Sequence, residues 1–140
     1  MNDAAETLLI EQGCVACRKD APRVADEEAA DLKPQIPDWT MEEHNGVPRL
    51  VRTFRAPNFR DALAFSQRVG DLAEEEGHHP ALLTEWGTVT VSWWTHKIRG
   101  LHRNDFIMAA KTDALARELG VLVEPERAEC ARAQGFPGTR

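Results

Sequence analysis

Residues 74–105 read EEEGHHPALLTEWGTVTVSWWTHKIRGLHRND. The stretch holds four of the five histidines of the chain, and three of them are candidate site residues: His78, His79 and His96. Carboxylates stand at both ends, Glu74 before the histidine pair and Asp105 after the last histidine. An unperturbed imidazole titrates near neutral pH, so histidines grouped with carboxylates suit proton transfer, and they also suit metal binding. The stretch therefore predicts a site of one of these two kinds.

The backbone around the two adjacent histidines is predicted to be irregular. Adjacent side chains diverge by about 100° on a helix and by about 180° on a strand. His78 and His79 can therefore enter one pocket only where the chain is neither. Gly77 precedes the pair and Pro80 follows it, and these residue types end a helix and fix a bend. A helix reaching this point would also bring Glu74 onto the face of His78, four residues later.

Two β-hairpins are predicted on either side of the central helix. Asn45-Gly46 is a strong turn signal between strands at 39–42 and Pro48–Arg55, and the arginines of the second strand are expected to pair with glutamates across the hairpin. A second pair of strands spans 82–96 and turns at 86–88. Its core side is predicted to carry Val89, Val91 and Trp93, and its polar side Thr90, Ser92, Trp94 and His96.

Three helices complete the pattern. The first runs over Asp26–Leu32 with Asp26 as its cap, and the last starts within 102–105 and ends at Leu119 before Gly120. The middle helix is capped by Asn58, and its predicted buried stripe is Phe59, Ala62, Phe65, Val69 and Leu72. The order α-β-β-α-β-β-α predicts an α+β fold, a four-stranded antiparallel sheet with three helices on one face.

Composition limits the classes of function. A formal net charge of −6 over 140 residues provides no basic stripe for phosphates, so no nucleic-acid partner is expected. No apolar run is long enough to span a membrane, and the acidic N-terminus is unlike a signal peptide. The sequence therefore predicts one small cytoplasmic domain.

The domain is predicted to occupy 26–120, between an N-terminal arm at 1–25 and a partly ordered tail at 121–140. The arm carries Cys14 and Cys17 at Cys-x-x-Cys spacing. A structural zinc site needs about four ligands, and a redox pair is expected beside a βαβ pattern. Neither is apparent, so we expect both cysteines to be reduced and dispensable for activity.

Seven positions of the central stretch, with their spacings, resemble the pattern of the pterin-4a-carbinolamine dehydratase family. That pattern is an acidic residue, three others, His-His-Pro, five or six others, an aromatic, nine others, His, a spacer and Asp. The matching residues are Glu74, His78, His79, Pro80, Trp86, His96 and Asp105. The resemblance covers residues 26–119. The chain departs from the pattern at Trp93 and Trp94, which are unusually bulky, and at His102, where a Ser or Thr usually caps the last helix.

This resemblance implies a dehydratase of 4a-hydroxytetrahydropterin that acts in tetrahydrobiopterin recycling with neither a metal nor another cofactor. The implied acid and base are His78 and His79, in either assignment, while His96 orients the pterin and shares in proton transfer. The remaining implied site residues contact the substrate or hold the imidazoles: Glu74, Pro80, Trp94 and Asp105. A homodimer or homotetramer is expected, because so small an open sheet leaves edges to cover.

The implied partners are the pterin substrate and, through metabolism, an aromatic amino-acid hydroxylase. Three alternatives remain open from the sequence. The first is a pterin-binding protein of molybdenum-cofactor metabolism, and the second is an interaction module. The third is a metal-dependent hydrolase that uses the three histidines as ligands.

Overall fold

The computed structural model describes residues 8–14 and 22–120. Its helices and strands follow the order α1 (Asp26–Leu32), β1 (Thr40–His44), β2 (Val47–Arg55), α2 (Phe59–Glu76), β3 (Ala81–Glu85), β4 (Thr88–Trp93) and α3 (Arg103–Leu119). Short 3-10 turns lie at Leu9–Glu11, Lys33–Gln35 and His96–Ile98. The predicted α+β class and the order α-β-β-α-β-β-α are confirmed.

The four strands form one antiparallel sheet in the order β1-β2-β4-β3. Both hairpins turn where the sequence predicted. Asn45 and Gly46 have φ angles of 54° and 79°, the left-handed pair that a two-residue hairpin turn requires. Gly87 has a φ of 82° in the second turn. The register places Leu50 of β2 opposite Trp93 of β4, so the buried side chains of the two central strands lie side by side on the same face of the sheet.

The core lies between the two central strands and the helices. Alternate side chains of β2 and β4 are buried, as period-two patterning predicts: Leu50, Phe54, Val89, Val91 and Trp93. The helices add the other large buried residues: Phe65 and Val69 from α2, and Phe106 and Met108 from α3. One continuous core therefore supports the sheet from a single side.

The ends of α2 follow from the residues that flank it. The Oδ1 atom of Asn58 accepts the backbone N–H of Asp61 at 2.8 Å, which confirms the predicted cap. Gly77 ends the helix with a φ of 68°, a left-handed conformation that glycine adopts without a Cβ penalty. At α1 the prediction was wrong by one residue, because Ala25 is the N-cap and Asp26 is already helical.

Two predictions about burial were wrong. Phe59 is 43% exposed, because it begins α2 at the rim of the sheet; the buried stripe starts at Ala62. The alternation of apolar and polar residues at 39–42 predicts a half-buried strand, but β1, an edge strand, is exposed along its whole length. Met41 of β1 lies opposite the buried Leu50 and yet remains half exposed.

One arginine of β2 also differs from its prediction. Instead of pairing with a glutamate across the hairpin, Arg52 donates from Nη1 to the Oδ1 atom of Asp113 in α3 at 2.8 Å. Trp39 donates its Nε1–H to the same oxygen at 2.8 Å. Burial raises the pKa of the Asp113 carboxyl, whereas these two donors lower it. The carboxylate thus joins the sheet to α3 inside the core.

Part of the predicted N-terminal arm belongs to the packed unit. Leu9 is fully buried in the core, and Lys111 of α3 donates to the carbonyl oxygen of Ile10 at 3.1 Å. Cys17 and the predicted tail at 121–140 lie outside the described residues.

We predict that Asp113→Ala lowers the free energy of unfolding by about 3 kcal/mol, because it leaves the Trp39 donor without its acceptor and leaves the mostly buried Arg52 cation only its exposed partner Asp38. Chemical denaturation measures the change. The matched control is Arg68→Ala, which breaks the exposed pair with Glu118 and should cost less than about 1 kcal/mol. Equal losses in the two variants would contradict this account of the core.

Candidate active site

The site is built where α2 ends. The backbone N–H groups of Gly77 and His78 both donate to the carbonyl oxygen of Ala73, the latter at 3.1 Å. The chain then leaves the helix through His79 and Pro80 and enters β3 at Ala81. The predicted irregular helix end is therefore confirmed.

His78 is held from two sides. Its Nε2 atom lies 2.6 Å from Oδ1 of Asp105, and its ring stacks on Trp93 with centroids 5.8 Å apart and planes 7° apart. An ionised carboxylate only accepts hydrogen bonds, so Nε2–H of His78 is the donor. The His78 side chain is 5% exposed. Trp93 is fully buried and donates its own Nε1–H to Thr112 at 3.1 Å. The large indole therefore both fills the core and stacks on His78.

Asp105 is completely buried and collects three donors. Besides His78, its carboxylate accepts the hydroxyl of Thr95 at 2.8 Å and the backbone N–H of His102 at 2.9 Å, both on Oδ2. A buried charge requires such partners. Asp105, which lies in α3, thereby connects its helix to Thr95 just after β4 and to His78 just after α2.

His102 performs the capping task that a hydroxyl residue usually has. Its Nδ1 atom accepts the backbone N–H of Asn104 at 3.0 Å, while Asp105 accepts the backbone N–H of His102. This is a reciprocal capping box with an imidazole nitrogen in place of the Ser or Thr oxygen. The departure from the family pattern at this position therefore preserves the helix cap.

His79 has a different environment from its neighbour. Its side chain is 57% exposed, and its Nε2 atom lies 2.5 Å from Oε2 of the exposed Glu74. Glu74 was expected to share a face with His78 only if the helix reached that residue; the helix ends at Glu76, and after the left-handed Gly77 it is His79 that contacts Glu74. The two adjacent imidazoles thus contact different carboxylates, one buried and one in solvent.

His96 does not lie on a strand, contrary to prediction. β4 ends at Trp93, and His96 opens a 3-10 turn that the backbone pairing of Thr95 with Gly100 closes. Its Nε2–H donates to the carbonyl oxygen of His79 at 3.3 Å. Its ring centroid lies 4.4 Å from that of Trp94, with the planes tilted by 32°. The turn therefore returns His96 to the end of α2.

The predicted residues thus form two connected groups: His78 with Asp105, and Glu74 with His79, His96 and Trp94. The adjacency of the histidine pair joins the groups. Pro80 is half-buried and leads directly from the pair into β3. Trp86 lies farther off, in the turn between β3 and β4, and is partly exposed.

Sequence reasoning missed Arg49, whose guanidinium carbon lies 3.9 Å from the centroid of the Trp94 ring. The register between β2 and β4 explains the contact. Because Leu50 lies opposite Trp93, the residues that precede Leu50 and follow Trp93 are neighbours. Predicting this contact required the pairing of β2 with β4, which periodicity alone does not provide.

Sequence reasoning also missed the N-terminal segment at 12–14. The backbone N–H of Cys14 donates to Oε1 of Glu76, the last residue of α2, at 2.9 Å. Arg103, the first residue of α3, donates to Gln12 and to Glu28, each at 2.9 Å. This segment therefore braces the two helix ends that carry His78 and Asp105.

Within residues 8–14 and 22–120, no three His, Cys, Asp or Glu side chains are grouped closely enough to hold a metal ion. The same part of the chain has no helix long and apolar enough to cross a membrane. What the described side chains offer at this site is imidazoles and carboxylates in hydrogen-bonded pairs, a set suited to moving protons.

The sequence model of the family Pterin 4 alpha carbinolamine dehydratase matches residues 22–115. The chain belongs to this family. A protein of Gloeobacter violaceus named "Putative pterin-4-alpha-carbinolamine dehydratase 1" is 65% identical over 114 residues, which are 81% of this chain and 98% of the relative. The family resemblance predicted from the spacing of the histidines and carboxylates is confirmed, and so is the class of enzyme, a hydro-lyase.

A solved structure agrees with the fold. The crystal structure of a transcriptional coactivator/pterin dehydratase from Brucella melitensis superimposes with a TM-score of 0.60 at 26% identity. The match covers 68% of this chain and 99% of the Brucella chain.

We predict that His102→Ala lowers the free energy of unfolding by about 1 kcal/mol, because the N–H group of Asn104 loses its acceptor. His102→Ser restores a capping oxygen and should stay close to the unsubstituted protein. Chemical denaturation of both variants measures the difference. A serine variant as unstable as the alanine variant would show that the imidazole does more than cap α3.

Proposed function

We propose that this protein dehydrates a 4a-hydroxytetrahydropterin to a quinonoid dihydropterin by histidine acid–base catalysis. The observation that carries the proposal is the chain of contacts at the end of α2. Asp105 fixes His78, the next residue His79 pairs with Glu74, and His96 donates to the His79 carbonyl. Membership of the dehydratase family supports the choice of reaction.

The reaction requires two proton transfers and no oxidant. The bond from carbon 4a to the hydroxyl breaks, and an acid protonates the oxygen so that it leaves as water. The N5 lone pair forms the new double bond to carbon 4a, and a base removes the N5 proton. The acid loses one proton and the base gains one, so the pair is restored by a net exchange between them. A positioned acid or base of this kind contributes about 10²–10⁴ in rate.

The three histidines divide these tasks according to their surroundings. His79, exposed and paired with Glu74, can exchange protons with substrate and solvent. His78 is buried and oriented by Asp105, the arrangement that keeps an imidazole in one tautomer. His96 orients the pterin from the opposite side of the pair, beside Trp94, and shares in proton transfer. Pro80 sets the exit of the chain from this turn.

In this proposal the enzyme acts in the cytoplasm and in tetrahydrobiopterin recycling, downstream of an aromatic amino-acid hydroxylase that supplies the carbinolamine.

The proposal includes self-association as a homodimer or homotetramer. β3 is an edge strand, and exposed apolar side chains lie on it and on α2: Leu82, Leu83, Phe59 and Leu63. An open edge beside exposed apolar surface favours association of identical chains. Sedimentation that finds a monomer at micromolar concentration would contradict this part of the proposal.

We predict that His79→Ala lowers the steady-state dehydration rate by at least about 10², because the exposed imidazole of the pair is removed. The free energy of unfolding should change by no more than about 0.5 kcal/mol, since the side chain is mostly in solvent. The assay uses 4a-hydroxytetrahydropterin and protein dialysed against a strong chelator, because the proposed chemistry needs no metal.

The control for this prediction is His44→Ala, which removes an exposed histidine of β1 that also pairs with a glutamate, Glu42. It should leave the rate unchanged. Undiminished activity of the His79 variant would refute its assignment. Activity that is lost on chelation and returns with zinc would favour the hydrolase alternative over acid–base dehydration.

A further inference from the structure

Three flat side chains are stacked beside the end of β4. The guanidinium carbon of Arg49 lies 3.9 Å from the ring centroid of Trp94, and the ring of His96 lies 4.4 Å from that of Trp94. We call this the Arg49–Trp94–His96 stack. Leu50, next to Arg49, is fully buried, so alternation along β2 turns Arg49 away from the helices.

The imidazole of His96 depends on this stack for its position. His96 is exposed and begins a 3-10 turn, so no strand pairing fixes it directly. Its hydrogen bond to the His79 carbonyl spans 3.3 Å, which is longer than the usual range for such bonds. The ring contact with Trp94, with centroids 4.4 Å apart, is the other described restraint on this imidazole.

Trp94 in turn depends on Arg49. It is the first residue past the end of β4 and is half-buried, so the sheet pairing stops just before it. A guanidinium over an indole is attracted by the ring quadrupole and packs flat against it. The Nε atom of Arg49 is buried and has no hydrogen-bond partner among the described residues. Its stacking on Trp94 is accordingly the contact that accounts for the placement of this side chain.

We propose that Arg49 is a positioning residue of the active site, which holds Trp94 so that Trp94 holds the imidazole of His96. The inference rests on the proposed function for its kinetic consequence, but the stack itself can be tested without substrate. The stack provides a partner on the neighbouring strand for Trp94, one of the bulky residues at which the chain departs from the family pattern. Trp94 then acts on the substrate through His96 as well as by direct contact.

The first test is the NMR spectrum of the histidine ring protons in the protein without substrate. The Trp94 ring current should displace the His96 protons upfield, and Arg49→Ala should remove most of that displacement. The matched control is Arg55→Ala, which removes the same charge from the same side of β2 about 20 Å away, six residues along the strand.

The second test is steady-state dehydration. Arg49→Ala should lower kcat about tenfold, because a displaced acid–base group loses rate steeply, while KM stays within about twofold. Arg55→Ala should leave both constants unchanged. Trp94→Leu should lower kcat similarly, and the double variant Arg49→Ala/Trp94→Leu should fall no further, because Arg49 acts through Trp94.

Arg49→Lys serves as the second variant if the alanine protein does not fold. Lysine keeps the cation but loses the planar group, so it should restore part of the His96 displacement and part of kcat. Unchanged His96 resonances in both Arg49 variants would overturn the proposal. A raised KM with kcat intact would overturn it too, because Arg49 would then contact the substrate directly. If the unsubstituted protein does not dehydrate the pterin, the proposed function fails, and the NMR arm still decides whether Arg49 holds His96.

Discussion

The fully buried carboxylate of Asp105 is the contact on which the site depends. It accepts from the His78 ring, from the Thr95 hydroxyl and from the His102 backbone, which come from three different segments. Removing water from an anion is expensive, and three donors at 2.6–2.9 Å offset that cost. The carboxylate that caps α3 through Oδ2 therefore also fixes, through Oδ1, a histidine 27 residues earlier in the chain, so the helix end and the orientation of the site depend on one side chain.

The adjacency of two histidines is useful because their surroundings differ. His78 is enclosed by Asp105 and Trp93, whereas His79 faces solvent with Glu74. Proton exchange with water needs an open imidazole, and a fixed geometry needs a closed one. The left-handed Gly77 produces both from consecutive residues, which neither a continuous helix nor a strand would do. The turn thus supplies two chemical environments at one helix end.

Local signals predicted most of the fold. Asn45-Gly46, Gly77 and Gly120 act through their own backbone preferences, and Asn58 acts through its side-chain cap, so turns and helix ends could be located from sequence. The misplaced features depend on tertiary contacts instead. Arg52 pairs with Asp113, 61 residues away, and not with a glutamate across the hairpin. A buried partner in α3 cannot be predicted from the alternation of side chains along β2. His96 left the strand because Thr95 pairs with Gly100, a closure that the alternation of residues 89–96 does not encode. For the candidate site, the spacing of histidines and carboxylates predicted a group of side chains that lie together in the structure, but it did not predict which carboxylate each imidazole contacts.

The support of the site extends beyond the region that the family model matches. Residues 22–115 carry the match, yet Gln12 and Cys14 contact the first residue of α3 and the last residue of α2. These are the two helix ends that bring Asp105 and His78 together. Helix ends fray unless their terminal groups have partners, and a catalytic pair must be held within a fraction of an ångström. The contact of Cys14 with Glu76 is made by a backbone N–H, so any residue except proline can make it. The Cys14 thiol adds a second contact, with the carbonyl oxygen of Asn104 in α3 at 3.9 Å, so the backbone and the side chain of this residue together join the end of α2 to the start of α3.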